Sequence, residues 1–139
     1  MYFSETRLTL PVRPNDLDAL GHVNNAVALE YLEAGRWDWL AQHDLVHGDR
    51  LISVVARTEI DYRAEIPRGR VEVRTVLDTP DAEEYDPDSI TFRARFRQRV
   101  HLPGAPDPAV DALVTVAFLD ARQRSLVSLQ DFLAAAAAH

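Results

Sequence analysis

From Asn25 to about His43 the chain carries no helix breaker except Gly35, and its apolar residues recur at helical spacing. Leu29, Leu32, Trp39 and Leu40 form a broad stripe, Val27 and Tyr31 flank it, and Glu30, Glu33 and Arg36 supply the wetter side. At 3.6 residues per turn this is an amphipathic helix of about five turns. Most of the remaining chain alternates with a period of two. One long helix among such strands must lie on one face of a sheet to bury its stripe. The expected class is α+β.

The strands can be placed from that alternation. TRLTLPV (6–12) puts Leu8, Leu10 and Val12 on one face. ISVVARTEIDYRAEI (52–66) sets Ile52, Val54, Ala56, Thr58, Ile60, Tyr62, Ala64 and Ile66 against a face of Arg57, Glu59, Asp61, Arg63 and Glu65, as in a half-buried antiparallel strand. PRGR (67–70) is a turn and VEVRTVL (71–77) the next strand. After the acidic connection DTPDAEEYDPD (78–88), SITFRARFRQRVHL (89–102) alternates again. Ile90, Phe92, Ala94, Phe96, Val100 and Leu102 oppose Arg93, Arg95, Arg97, Arg99 and His101 there. AVDALVTVAFLD (109–120) is apolar on both faces, which suits a central or interface strand. Ser128 with Asp131 three residues on reads as the start of a terminal helix. Neither a repeat nor a linker interrupts residues 1–139, so a single domain is expected.

Composition excludes several kinds of chemistry. There is no cysteine, hence no disulfide and no thiolate ligand or nucleophile. All 15 basic residues are arginine, so no lysine can form a Schiff base. A net charge of −7 disfavours general binding of nucleic acid, whose affinity rests on cations at phosphates. No apolar run approaches the ~20 residues that span a bilayer, and MYFSETRLTLPV lacks the pattern of a secretory signal. A cytoplasmic protein is expected. There is no G-x-S-x-G, Walker A or G-x-G-x-x-G, and His43-x-x-x-His47 has metal spacing without a third ligand. No metal and no cofactor is expected.

Directly before the helix stands RPNDLDALGHVNN, residues 13–25. A helix start exposes unpaired backbone N–H groups backed by about half a unit of positive charge, which stabilises an anion or a polarised carbonyl oxygen. If the N–H groups of Asn24 and Asn25 point at an acyl carbonyl, a carboxylate a few residues earlier can attack that carbonyl or activate a water. Asp18 is placed for this, since Ala19-Leu20-Gly21 can fold back as a tight loop and Gly21 tolerates positive φ. The plainer alternative is an asparagine cap with the aspartates in a turn. Asp16 and Arg13 are expected to pair and order the loop, Asn24 to organise it, and His22 either to tune Asp18 or to hold the loop.

With DLDALGHVNN followed by YLEAGR (31–36), and VVARTEIDYRAEI (54–66) after the helix, the chain resembles hotdog-fold acyl-CoA thioesterases of the 4-hydroxybenzoyl-CoA thioesterase type. That resemblance implies an antiparallel sheet of about five strands wrapped around one long central helix. Two protomers would join edge strands into one continuous sheet, with sites between them, and two dimers could pack as a tetramer. It implies an acyl-CoA or other acyl thioester as substrate, with Asp18 as catalytic carboxylate, Asn25 as backbone oxyanion donor, and His22 and Asn24 beside them. Gly21, Val23, Tyr62, Arg68, Arg70 and Ser89 are then the substrate-binding candidates.

The chain departs from the family pattern at two places. Ala28 stands where relatives often carry an aromatic residue, which implies a roomier or differently shaped acyl pocket, and DAEEYDPD (81–88) stands where they often carry basic or small polar residues near the CoA phosphates. The carrier is therefore left open between CoA, a protein-borne phosphopantetheine and a smaller thioester. A hotdog protein that binds an acyl ligand without turnover is the reading from another class, since fold does not fix function. A hydratase using His22 with Glu30 or Glu33 ranks last. The arginine ladder at 93–99 is expected to be a solvated strand face with cross-strand acidic partners.

Overall fold

The computed structural model describes residues 3–46, 50–78 and 92–137. Strand β1 (Thr6–Pro11) leads through a 3-10 turn at Pro14–Asp16 into helix α1 (Asn25–Gln42). Then come β2 (Leu51–Tyr62), β3 (Arg70–Leu77), β4 (Arg93–His101), β5 (Val110–Asp120), the short β6 (Ser125–Val127) and α2 (Leu129–Ala137). The main sheet runs β1-β3-β4-β5-β2, with β6 also on β5, and all pairings are antiparallel. With α1 packed on one face, this is the hotdog layout. β6 is too short to have shown a period in the sequence, while α2 opens as expected, with the Asp131 N–H donating to Ser128 Oγ at 3.0 Å.

The core lies between α1 and the inner sheet face. Leu32, Trp39, Val73, Val100, Val114 and Val116 are almost wholly buried there, and Phe118 of β5 stacks on Phe132 of α2 at 4.3 Å. Gly35 is what lets helix and sheet approach. A Cβ on it would sit 2.6 Å from Val73 Cγ1 and 2.9 Å from Thr75 Oγ1.

Four expectations need correction. The helix buries Ala28, Tyr31, Leu32, Gly35, Trp39 and Leu40, whereas Leu29 is 43% exposed, because it shares the helix flank of the exposed Glu33 and Trp37, four and eight residues on. Arg36 is half-buried and donates to Gln98 Oε1 at 3.0 Å; burial lowers its pKa. His101 is buried too, since the turn after β4 folds over it and offers the Ala105 carbonyl at 3.3 Å.

The fourth concerns β2. It ends at Tyr62 and its register slips between Val55 and Arg57, where Ala56 bulges. Directly opposed residues share a face, so Val54 opposite Ala117 points outward, while Val55 opposite Val116 and Thr58 opposite Val114 point inward. The bulge thus exchanges the two faces midway, as an extra residue in a period-two element must. As the last strand of the sheet, β2 is also mostly exposed rather than half-buried.

Candidate functional site

The loop before α1 is built by short-range hydrogen bonds. The Arg13 main chain and guanidinium both reach the Asp16 carboxylate, at 2.9 Å for the backbone N–H, and the Tyr31 hydroxyl donates to it at 2.7 Å. Arg13 and Asp16 therefore order the loop, as expected. Burial alone would raise the Asp16 pKa, but the hydrogen bonds from Arg13 and Tyr31 outweigh it and hold the carboxyl below the usual range. The Asp16 carbonyl accepts the Asn24 N–H at 2.9 Å, and the Val23 N–H reaches the Ile66 carbonyl at 2.8 Å. These bonds fasten the helix start to the segment following β2.

Within this frame residues 18–22 make a tight turn. The Asp18 N–H donates to the His22 carbonyl at 2.7 Å and the Gly21 N–H to the Asp18 carbonyl at 3.1 Å, with Gly21 at φ +79°. Asp18 Oδ1 accepts the N–H groups of Leu20 (2.9 Å) and His22 (3.2 Å). No hydrogen bond reaches its Oδ2 among the described residues, and Asp18 is exposed. Asn24 Oδ1 caps the helix through the Ala26 N–H at 2.8 Å, so its side chain is a cap and not a free reacting group. Asn25 is the first residue of α1, and its N–H has no acceptor among the described residues.

Asp18, His22, Val23, Asn25, Ala28 and Tyr62 line one cleft of about 300 Å³. The Tyr62 hydroxyl donates to the Asn25 carbonyl at 2.8 Å, tying β2 to the first turn of α1. Ala28 contributes only a methyl group at the cleft wall, which keeps the space beside the helix start open. A residue with an unpartnered carboxylate oxygen and one with a free first-turn N–H among the described residues thus line one cleft, a pairing of groups able to polarise a carbonyl and deliver a base or nucleophile to it.

Other candidates lie apart. Arg68 and Arg70 are exposed on the turn into β3 and do not line this cleft. Ser89 and the segment 81–88 lie outside the described residues, as does His47. His43 Nε2 meets the Ser4 carbonyl at 2.9 Å, and no metal-binding cluster occurs among the described residues. The arginine ladder behaves as a paired strand face: Arg97 and Arg99 reach Asp111 across the sheet at 3.3 and 3.8 Å.

Two polar groups escape a reading from sequence. Glu65 meets His22 Nε2 at 3.2 Å across the cleft mouth, a pairing of distant segments that no local pattern announces. Gln98 is fully buried, donating to the Leu32 carbonyl at 2.8 Å and to Thr75 Oγ1 at 2.9 Å. Its signal was present, since it is the polar residue at an inward position of β4 between Phe96 and Val100.

The chain belongs to the thioesterase-like superfamily, whose family model matches residues 12–137. Among curated proteins none matches it. Solved structures resemble it over nearly its whole length. YbaW of Escherichia coli, named a probable thioesterase, is 23% identical with a TM-score of 0.70, covering 94% of this chain and 95% of its own. TT1821 of Thermus thermophilus is also 23% identical, with a TM-score of 0.76 and 97% of each chain covered. Slr0204 of Synechocystis, a 1,4-dihydroxy-2-naphthoyl-CoA thioesterase, is 14% identical with a TM-score of 0.73 over 96% of this chain and 95% of its own. At these identities the likeness is one of fold.

Proposed function

We propose that the chain hydrolyses an acyl thioester, with acyl-CoA as substrate, to a free acid and a thiol. The observation that carries this reading is that Asp18, with an unpartnered carboxylate oxygen, and Asn25, with a first-turn N–H lacking an acceptor among the described residues, line the same cleft. Asp18 Oδ1 is held by two backbone donors, which leaves Oδ2 to take a proton from water. The hydroxide so formed adds to the thioester carbon while the Asn25 N–H holds the developing oxyanion. The C–S bond then breaks and the departing sulfur is protonated to the thiol. Direct attack by Asp18, giving an anhydride that water opens, uses the same two groups. His22, braced by Glu65, borders the departing thiol, and Tyr62 keeps the helix start in place.

The reading includes a homodimer joined at β2, the long free edge of the sheet. Thiol release from short, medium, long and aromatic acyl-CoAs, and from acyl carrier protein thioesters, tests the reaction and its carrier. Asp18→Asn should lower kcat by roughly 10²–10⁴, the usual contribution of a positioned base. Equal rates in both proteins would remove Asp18 from the chemistry. Binding of acyl-CoA without turnover would leave a binding module instead.

A further inference from the structure

A second cavity, of about 190 Å³, lies farther along the same helix, lined by Glu33, Arg36, Trp37 and Leu40 of α1 with Ser53 and Val55 of β2. Trp37 is 57% exposed although it is the largest side chain type available, and its indole N–H donates to Glu33 at 3.3 Å. Leu29 lies one and two turns before Glu33 and Trp37, so a partly apolar stripe of α1 is left uncovered among the described residues.

A second copy of the chain fits that space. Of the two edge strands, β1 is six residues long and ends in Pro11, which blunts it. Strand β2 is twelve residues long and exposes Val54, Val55 and Tyr62. A long edge with exposed apolar residues invites pairing with another strand, and its own copy can join it about a two-fold axis. Antiparallel self-pairing over the whole edge sets Tyr62 of one copy beside Leu51 of the other. The start of α1 accompanies Tyr62, and its later turns accompany Ser53 and Val55. The two helices therefore run in opposite directions, and the start of each lies beside the later turns of its neighbour.

We infer that Trp37 acts in trans: it walls the acyl-binding space of the partner's cleft, and so selects the acyl group there. This inference rests on the thioesterase reading above and adds its specificity-determining residue. Each site would combine Asp18 and Asn25 of one protomer with the indole of the other, the methyl of Ala28 leaving room between them for the apolar part of the substrate.

The test is subunit complementation. Trp37→Ala should raise KM at least about tenfold for the acyl group wild type prefers, the scale of losing an apolar contact in a specificity pocket, while Trp37→Phe keeps most of the preference. Asp18→Asn and Trp37→Ala chains are then co-expressed with different tags and purified as mixed dimers. If Trp37 acts in trans, one site per mixed dimer has both Asp18 and the indole, and wild-type KM returns at about half the wild-type kcat per dimer. A mixed dimer that keeps the raised KM of Trp37→Ala overturns the inference, as does a Trp37→Ala protein with wild-type kinetics. If wild type hydrolyses no thioester, the hydrolase reading fails by itself. The inference is then read from binding: a non-hydrolysable decanoyl-CoA thioether should change wild-type tryptophan emission but not that of Trp37→Phe. An unchanged wild-type spectrum overturns it.

Discussion

Asp16 and Asp18 stand two residues apart, one buried between Arg13 and Tyr31, the other open to the cleft. Asp16 is held below the ordinary carboxylate range because its hydrogen bonds outweigh the effect of burial. A carboxyl with a lower pKa folded than unfolded gives the unfolded chain the greater proton affinity. Its stabilisation is thus present above the unfolded value, near pH 4, and is lost as pH falls through the folded value. Asp16→Asn should cost roughly 1–3 kcal/mol at pH 7, the range for a buried charged hydrogen bond. It should also flatten the acid limb of stability below about pH 4. Urea unfolding at pH 7 and pH 3 checks both, and a variant with the full acid dependence of wild type refutes the assignment. The division between the two aspartates was legible only in part. The D-x-D and the glycine lie within one turn and act locally, so a tight loop could be read from them. Tyr62 and Glu65 reach the loop and the helix start from about forty residues away; the resemblance pointed to Tyr62, but its bond to Asn25 and the whole role of Glu65 appear only in the tertiary contacts.

At the scale of elements, the contact between α1 and the sheet turns on Gly35. Alanine there would gain about 1 kcal/mol of helix propensity. Its methyl would also press on Val73, Thr75 and Gln98, all fully buried and without room to withdraw. Overpacking of this kind costs roughly 1–3 kcal/mol, so Gly35→Ala should lower Tm by several degrees in a thermal melt; a raised Tm would mean the sheet yields. The helix and its Asn24 cap could be placed from sequence because both are decided within a few residues. Which apolar flank meets the sheet could not: Leu29 and Ala28 differ by one position, and only the position of the sheet edge makes one a surface residue and the other a core one. The bulge at Ala56 was hidden for the same reason. An unbroken alternation from Ile52 to Ile66 gives no sign that pairing with β5 slips by one.

For the molecule as a whole, the open edge of β2 is the feature that most needs a partner. With Leu51 beside Tyr62, Val55 of one copy lies beside Thr58 of the other, so Val55→Lys with Thr58→Lys places like charges directly opposite each other across that edge. On the proposed dimer, light scattering should find wild type dimeric and the double variant monomeric, with the proposed thioesterase activity reduced along with assembly. A wild type that is monomeric at working concentration would remove β2 as the joint. No helix among the described residues is long and apolar enough to cross a membrane. The α+β class and the long helix were the parts of the architecture the residue pattern carried best, because five period-two runs and one helical run must pack as a sheet with a helix on one face. The order of strands within the sheet was not in the pattern.

Helix α1 lines the Asp18 cleft with its first turns and the Trp37 cavity with its last, and Gly35 seats it tightly on the sheet between them. In a two-fold pair such a helix belongs to two sites at once. A substrate that shifts it at one end acts on the other site through the same rigid rod, so the two sites would exchange free energy and do so reciprocally. Their occupancy should then depart from independence, and titration with a non-hydrolysable acyl-CoA should give a Hill coefficient other than one.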